Sequence, residues 1–270
     1  MSGGIVQNAS VMGKMRSMIK KRENALQNKL YAWFPDSHQE TISIRCFFIM
    51  RLMKYCNVEF ELNYVRLPEK DLSVLQVEAK EIPILKAEDK LYKTYQIIDL
   101  CKETASKENI EILFQDENLA HQIFFQWATT NLLGSYVGLL YGDKEIRERV
   151  YKDYQKAYPD FIEKNLDLIS ESMLEWSIHN EDISQDPKKK KENIQKLIDN
   201  LDSHLENNKF WFGDNISIND FALFSFCYMM YNPQFIYFHD YIKSKESLFN
   251  WMKTMDHLSR HEHSKIKIGS

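Results

Sequence analysis

Residues 208–224 (NKFWFGDNISINDFALF) carry the pattern that decides the fold. They join an aromatic run, a turn at Gly213-Asp214 and a helix-start signal. Gly213 permits the positive φ that a sharp reversal requires. Ser217 and Asp220 have the spacing of a capping box, in which each side chain accepts a hydrogen bond from the other residue's backbone N–H. The residues that follow are apolar on almost every side, so we predict a helix buried in the core.

The composition indicates a folded, mostly helical protein. Hydrophobic residues make up 44% of the 270 residues, and 8 glycines and 6 prolines are too few for the many turns of an all-β protein. The net charge of −4 gives no reason to expect a nucleic-acid partner. The four cysteines include no CxxC pair, which argues against a disulfide framework or a zinc site. No apolar run reaches the roughly 18 residues of a transmembrane helix.

The first 28 residues are predicted to form a separate basic arm. No acidic residue precedes Glu23, and apolar side chains recur at helical spacing: Val11, Met12, Met15, Met18 and Ile19. This pattern suits a mitochondrial targeting segment or a helix that contacts a membrane surface. A frayed tail with chance periodicity is the alternative.

Two domains are predicted after the arm. Over residues 29–106 the patterns indicate strand–helix–strand and then strand–strand–helix, which predicts a small sheet with helices on its faces. Residues 107–260 show only long helical periodicities, and residues 261–270 form a tail. The helices are expected over 119–141, 145–158, 161–179 and 191–205. The basic run at 188–191 is interpreted as part of a solvated linker or helix start, with contact to an anionic surface as the alternative.

The predicted helix starts in the first domain depend on short polar side chains. The first helix is expected over residues 41–55, with an N-cap at Asp36 or Ser37. The second is expected over 95–102, with Thr94 as its N-cap. Cys46 then falls among apolar residues in the middle of the first helix, where it is interpreted as a core thiol.

These features together resemble the glutathione-transferase superfamily. The resemblance rests on the strand and helix order, on an Ile-Pro pair before a predicted β-hairpin, and on the capped buried helix at 217–224. It implies a fold of class α+β/α, with a thioredoxin-like N-terminal α/β domain and an all-α C-terminal domain of the glutathione-transferase type. It also implies that Pro83 takes the cis form and shapes the thiol site.

Within the superfamily, the sequence most resembles the metaxins. Residues 210–225 are similar to the late metaxin segment, in which an aromatic run and a turn precede a Phe-rich helix. Residues 47–58 resemble the metaxin first helix leading into the second strand, and residues 94–100 resemble the helix start after the hairpin. The likeness extends over residues 30–255.

The resemblance also defines what an active site would need. A catalytic glutathione transferase has a hydroxyl or thiol near the start of the first helix, which donates a hydrogen bond to the glutathione sulfur. Ser37 is the only candidate, and Asp36 would repel a thiolate. At the second glutathione position Thr94 keeps a hydroxyl, but it follows Lys93 instead of an acid. Both hydroxyls are explained as caps, so we predict that the protein is not an enzyme and that Pro83 and Thr94 are vestiges of a glutathione site.

No cofactor or metal site is predicted. His257, His261 and His263 cluster near the C-terminus without a supporting Cys or acid pattern, so an exposed polar tail is the expected structure. The motif residues Gly213, Asp214, Ser217 and Asp220 are assigned a structural role only.

The resemblance to metaxins implies a scaffold or assembly protein of a mitochondrial membrane complex. We expect other protein subunits as partners, membrane association without a transmembrane helix, and contact with the membrane surface through the arm. One alternative is a fixed accessory subunit of another mitochondrial complex, for example a respiratory one. The other is a catalytic glutathione transferase.

Overall fold

The first part of the fold is a four-stranded mixed sheet. It is seen in a computed structural model that describes residues 28–33, 40–41, 43–65, 75–77, 81–105, 112–114, 118–157 and 186–260. The strands are β1 (Asn28–Trp33), β2 (Glu61–Val65), β3 (Ile84–Ala87) and β4 (Lys90–Tyr92). Their order across the sheet is β2-β1-β3-β4, and only β1 and β2 are parallel. The parallel pair needs a crossover, which α1 (Ile44–Tyr55) provides.

The rest of the described chain is helical. After α2 (Thr94–Thr104), which packs on α1, come helices that build the second domain. They are α3 (Leu119–Trp127), α4 (Leu133–Gly142), α5 (Lys144–Ala157), α6 (Pro187–Leu205), α7 (Ile218–Met230), α8 (Ile236–Lys243) and α9 (Glu246–Ser259). Among the described helices, none combines the length and apolar character needed to cross a membrane. The predicted fold class is therefore confirmed.

Helix α7 is the centre of the core, as the sequence predicts. All of its residues are buried, and it packs against α1 and α9. The capping box of Ser217 and Asp220 is present. The Asp220 carboxylate accepts hydrogen bonds from the Ser217 N–H (2.9 Å), the Ser217 hydroxyl (2.8 Å) and the Trp211 N–H (2.8 Å). Asp220 therefore fixes both the helix start and the aromatic run before it.

The aromatic run forms a tight reversal that packs on α3. Gly213 has φ of +108°, and its backbone pairs with that of Phe210 through hydrogen bonds of 2.7 and 3.1 Å. The Phe212 ring stacks on His121 at a centroid distance of 3.7 Å, and Trp211 lies 5.2 Å from Phe124. The reversal thus joins the start of α7 to α3.

The long helix predicted over 119–141 is interrupted. Residues Ala128–Leu132 form a π-helical turn between α3 and α4. The Thr129 and Thr130 hydroxyls donate to the backbone carbonyls of Phe125 (2.8 Å) and Gln126 (2.7 Å). Such bonds compete with the regular helical ladder and favour a local irregularity.

Two helix starts differ from the sequence predictions. Helix α1 begins at Ile44, and its N-cap is Ser43 instead of Asp36 or Ser37. Helix α2 begins at Thr94 itself, because the backbone of Lys93 occupies the N-cap position. The interpretation of Thr94 as an N-cap is therefore wrong, and Ser37 lies outside the described residues.

The basic run 188–191 lies in the first turns of α6, so the interpretation as a helix start is confirmed and the interpretation as a linker is wrong. Asp186 is the N-cap, with its side chain accepting from the Lys188 N–H at 2.9 Å, and Pro187 occupies the first helical position. Proline suits that position because its missing N–H would be unpaired there in any case. The Lys191 Nζ lies 2.5 Å from Asp143 Oδ2 and forms an ion pair with it. The helix predicted over 161–179 lies outside the described residues.

Asp143 gives the helical domain a defined pH dependence. Its Oδ1 accepts from the N–H groups of Glu145 (3.0 Å) and Ile146 (3.1 Å), and its Oδ2 faces Lys191. Although burial raises the pKa of Asp143, the bonds from Lys191 and these N–H groups hold it below 3.8 overall. A carboxyl group with a lowered folded-state pKa stabilises the fold above its unfolded value, and this contribution is lost as pH falls through the folded value.

We therefore expect Asp143→Asn to destabilise the protein by about 1–2 kcal/mol at pH 7, because asparagine keeps the cap but loses the charged bond. The difference from wild type should shrink as pH falls below 3.8. Urea unfolding at pH 7, 4 and 3 measures it, with Asp240→Asn on exposed α8 surface as the control. A difference that stays constant with pH would contradict the assignment.

Candidate functional site

The candidate site lies at the edge of the sheet where β1 ends. Tyr31 of β1 pairs with Ile84 of β3. Continuing this antiparallel register places Ile82 and Pro83 beside the end of β1 at Trp33. The Ile82–Pro83 peptide bond is cis, as the resemblance implies. Three chain segments therefore converge at this edge, because α1 also starts after β1.

The first turn of α1 brings a hydroxyl to this edge. Ser43 Oγ accepts from the Cys46 N–H at 3.3 Å, and the Ser43 N–H donates to Thr41 Oγ1 at 3.3 Å. Thr41 is buried, whereas Ser43 is half-buried. A hydroxyl at a helix N-terminus sits in the positive field of the helix dipole, which favours an anion beside it.

Cys46 lies under this hydroxyl and is not in the middle of the helix. It is the third residue of α1, fully buried, and its Sγ accepts from the Trp33 N–H at 3.5 Å. Burial raises the pKa of the Cys46 thiol, against hydrogen bonds from Ser43, Trp33 and Thr41. The thiol is therefore protonated and serves as part of the core, in agreement with the sequence interpretation.

The start of α2 provides a second polar group at the same edge. Strand β4 ends at Tyr92, opposite Leu85, so α2 begins where β3 begins. The Lys93 ammonium forms an ion pair with the Glu81 carboxylate, and the Lys93 N–H donates to Gln96 Oε1 at 2.8 Å. The N–H groups of a first helical turn have no acceptor within the helix, so they can bind an anion.

Solved structures with the same fold are known. A β-etherase, LigF, from Sphingobium sp. strain SYK-6 is 13% identical with a TM-score of 0.57, over 88% of this chain and 97% of the β-etherase. Glutathione S-transferase III in apo form is 13% identical with a TM-score of 0.52, over 87% and 93% of the two chains. Glutathione S-transferase I bound with lactoylglutathione is 12% identical with a TM-score of 0.52, over 85% and 94%.

The sequence of the second domain also matches a known protein family. Residues 166–256 match the family model described as glutathione S-transferase, C-terminal domain. This chain has the glutathione-transferase fold. Among curated protein sequences, none is similar enough to match it.

The glutathione-transferase fold corrects one functional prediction. The expectation that the chain is not an enzyme is contradicted, because the solved structures that share the fold are glutathione transferases and a β-etherase. The residue before Thr94 is Lys93, as the sequence shows, but the structure brings a carboxylate to it. Glu81 supplies a carboxylate next to Lys93, although it precedes the proline instead of the threonine. The resemblance to the superfamily is confirmed at the level of the fold and the C-terminal domain.

The sequence analysis missed Ser43 and Glu81. Ser43 could have been found from its spacing of three residues before Cys46, which gives a hydroxyl and a thiol one helical turn apart. Glu81 could have been found from its place directly before the Ile82-Pro83 pair. Within the described residues no group of side chains could hold a metal ion, and His261 and His263 lie outside them.

Proposed function

We propose that this protein is a glutathione-dependent transferase, which binds glutathione at the edge of the sheet and joins its sulfur to an electrophile. The observation that carries the proposal is the Ser43 hydroxyl at the start of α1, beside the segment that contains the cis Ile82–Pro83 bond. The glutathione transferases with this fold support it as a class of reaction.

Ser43 is proposed to activate the bound thiol. Its Oγ accepts a bond from the Cys46 N–H, and its O–H, which also reaches the Cys46 thiol, is proposed to turn to the glutathione sulfur when glutathione binds. A donor at a helix N-terminus stabilises the thiolate relative to the thiol. The thiolate then attacks the electrophilic carbon, the new S–C bond forms, the leaving group departs with its electron pair, and the thiol proton passes to water.

Lys93 and Glu81 are proposed to hold the γ-glutamyl end of glutathione. That end carries one carboxylate and one ammonium group, and the Lys93–Glu81 pair presents the opposite charges side by side. The Thr94 hydroxyl and the N–H groups of the first turn of α2 add donors for the carboxylate. Tyr95 is 75% exposed next to them and provides a ring against which the ligand can pack.

The test is conjugation of glutathione to a general electrophile. We expect saturable turnover in the wild type, and a rise of about tenfold in KM for glutathione in Glu81→Gln with little change in kcat, because one charged bond to the ligand is lost. Glu88→Gln, in the exposed β3–β4 turn, is the matched control. A wild-type rate equal to the uncatalysed rate at saturating glutathione would contradict the proposal.

We also propose that the chain docks onto another subunit of a mitochondrial membrane complex, as the resemblance to metaxins implies. An exposed apolar patch on the second domain supports this. Leu119, Ile123 and Trp127 recur every four residues on α3 and are 66%, 59% and 37% exposed, and Phe212, which is 36% exposed, packs on Phe124 of the same helix. Contiguous apolar surface of this kind is typical of interaction sites.

Purification of the native assembly from mitochondria tests the docking proposal. Recovery with subunits of a sorting and assembly complex supports the metaxin-like role. Recovery with a respiratory complex supports the role of a fixed accessory subunit. In either role, we propose that the basic arm contacts the membrane surface. A monomer or homodimer recovered from the cytosol would contradict both roles.

A further inference from the structure

A buried ion network lies between the two domains. Arg51 of α1 is fully buried, and its Nη2 forms an ion pair with Glu40. Its Nη1 lies 3.1 Å from Asp256 Oδ1 of α9, and Asp256 Oδ2 pairs with Arg260. Two acids and two bases thus alternate along one chain of contacts that runs from the segment before α1 to the end of α9.

Aromatic rings enclose the centre of this network. The Arg51 guanidinium carbon lies 4.6 Å from the Phe47 ring centroid, 5.7 Å from Tyr228 and 5.8 Å from Phe224. Phe47 and Tyr228 themselves stack at 4.1 Å. The rings keep water away from Arg51, so its attraction to the two carboxylates is poorly screened. Loss of Arg51 would leave two buried carboxylates with only one cation, which is unfavourable.

One end of the network lies next to the candidate site. Glu40 is buried three residues before Ser43, and the Thr41 hydroxyl between them accepts from the Ser43 N–H at 3.3 Å. A displaced Glu40 would therefore move the segment that sets the position of Ser43. The other end lies in α9. Ion pairs therefore connect the second domain to the segment that carries Ser43, the residue proposed to activate the thiol.

We propose that Arg51 is a positioning residue: by bridging Glu40 and Asp256, it fixes Glu40 and Thr41 and so directs the Ser43 hydroxyl toward the bound sulfur. This inference rests on the proposed transferase function. The site is in this respect completed by the second domain, because Asp256 of α9 holds Arg51 and is itself paired with Arg260.

The test compares Arg51→Met with a control of similar cost to stability. Phe221→Leu loosens the same contact between α1 and α7, where Phe221 lies 5.2 Å from Tyr55, but it does not touch Glu40. We expect Arg51→Met to lower kcat for conjugation by about 100-fold, the effect of a misplaced group, and to move the acidic limb of the pH–rate profile upward. KM for glutathione should change little, since Lys93 and Glu81 remain.

Arg51→Lys keeps the positive charge without the planar fork that reaches two acids, so it should recover only part of kcat. Phe221→Leu should lower the melting temperature and leave the pH–rate profile unchanged. Equal kcat losses and equal pH profiles in Arg51→Met and Phe221→Leu at matched melting temperatures would overturn the proposal.

Hydrogen exchange separates this inference from the transferase function. If the wild type does not conjugate glutathione, the transferase proposal fails, but amide exchange at residues 40–43 still reports positioning. Exchange there should accelerate by at least about tenfold in Arg51→Met and stay near the wild-type rate in Phe221→Leu. Unchanged exchange in Arg51→Met would overturn the positioning role whatever the activity.

Discussion

Asp220→Ala is expected to destabilise the protein by about 3–5 kcal/mol, because it leaves several buried donors unpaired at a cost of about 1–3 kcal/mol each. The Asp220 carboxylate is fully buried and accepts from two N–H groups and one hydroxyl, contributed by Trp211 and Ser217. Alanine leaves these donors without an acceptor in a place that water does not reach. It also releases the start of α7, whose residues are all in the core.

Urea unfolding followed by circular dichroism measures the effect. Asp220→Asn should lose less stability than Asp220→Ala, because its amide oxygen keeps an acceptor while its NH₂ group opposes the remaining donors. Asp214→Ala is the matched control, since Asp214 is exposed in the same reversal, and its loss should stay within about 0.5 kcal/mol. Similar losses in Asp214→Ala and Asp220→Ala would contradict the assigned role of Asp220.

Helix α7 could be predicted from the sequence because its determinants are local. The capping box spans four residues, and Gly213 adopts the positive φ expected of it. The apolar run behind them has no polar face, so burial follows from composition alone. The cis peptide before Pro83 was implied by the family resemblance and not by the residues around it.

The start of α1 could not be predicted, because several residues before it can cap a helix. Asp36, Ser37, Thr41 and Ser43 all carry suitable side chains. What selects Ser43 in the structure is the burial of Glu40 and its pairing with Arg51, and Arg51 in turn contacts α9. A contact that joins residues so distant in sequence leaves no local pattern. Ser37, the candidate hydroxyl from the sequence, lies outside the described residues.

A contact between distant residues was also missed at Thr94. In the sequence, Lys93 stands directly before Thr94, at the position where the superfamily motif has an acid. The carboxylate of Glu81, twelve residues earlier, is brought to Lys93 only when β3 and β4 pair and place both residues at one edge of the sheet. Strand pairing thus supplies a charge that a comparison of neighbouring residues cannot find.

Ser43→Ala is expected to lower kcat/KM for glutathione conjugation by about 10²–10³-fold, the cost of removing one preorganised donor from a developing anion. The same change removes the N-cap of α1, which costs about 1 kcal/mol of stability. Ser43→Asp separates the two effects, because aspartate caps a helix but cannot donate to a thiolate and repels it. We expect Ser43→Asp to be as inactive as Ser43→Ala while keeping near wild-type stability.

The pH–rate profile shows whether the lost donor acts on the thiol. In the wild type the acidic limb of kcat at saturating glutathione should lie below the pKa of roughly 8.5 of a free thiol, and in Ser43→Ala it should move up toward that value. Ser43→Thr retains both hydroxyl and cap, so its limb should stay near the wild-type position. Ser37→Ala should leave rate and profile unchanged. Loss of turnover in Ser37→Ala with full activity in Ser43→Ala would instead assign the thiol-activating hydroxyl to Ser37, because removal of the hydroxyl that donates to the sulfur must lower the rate.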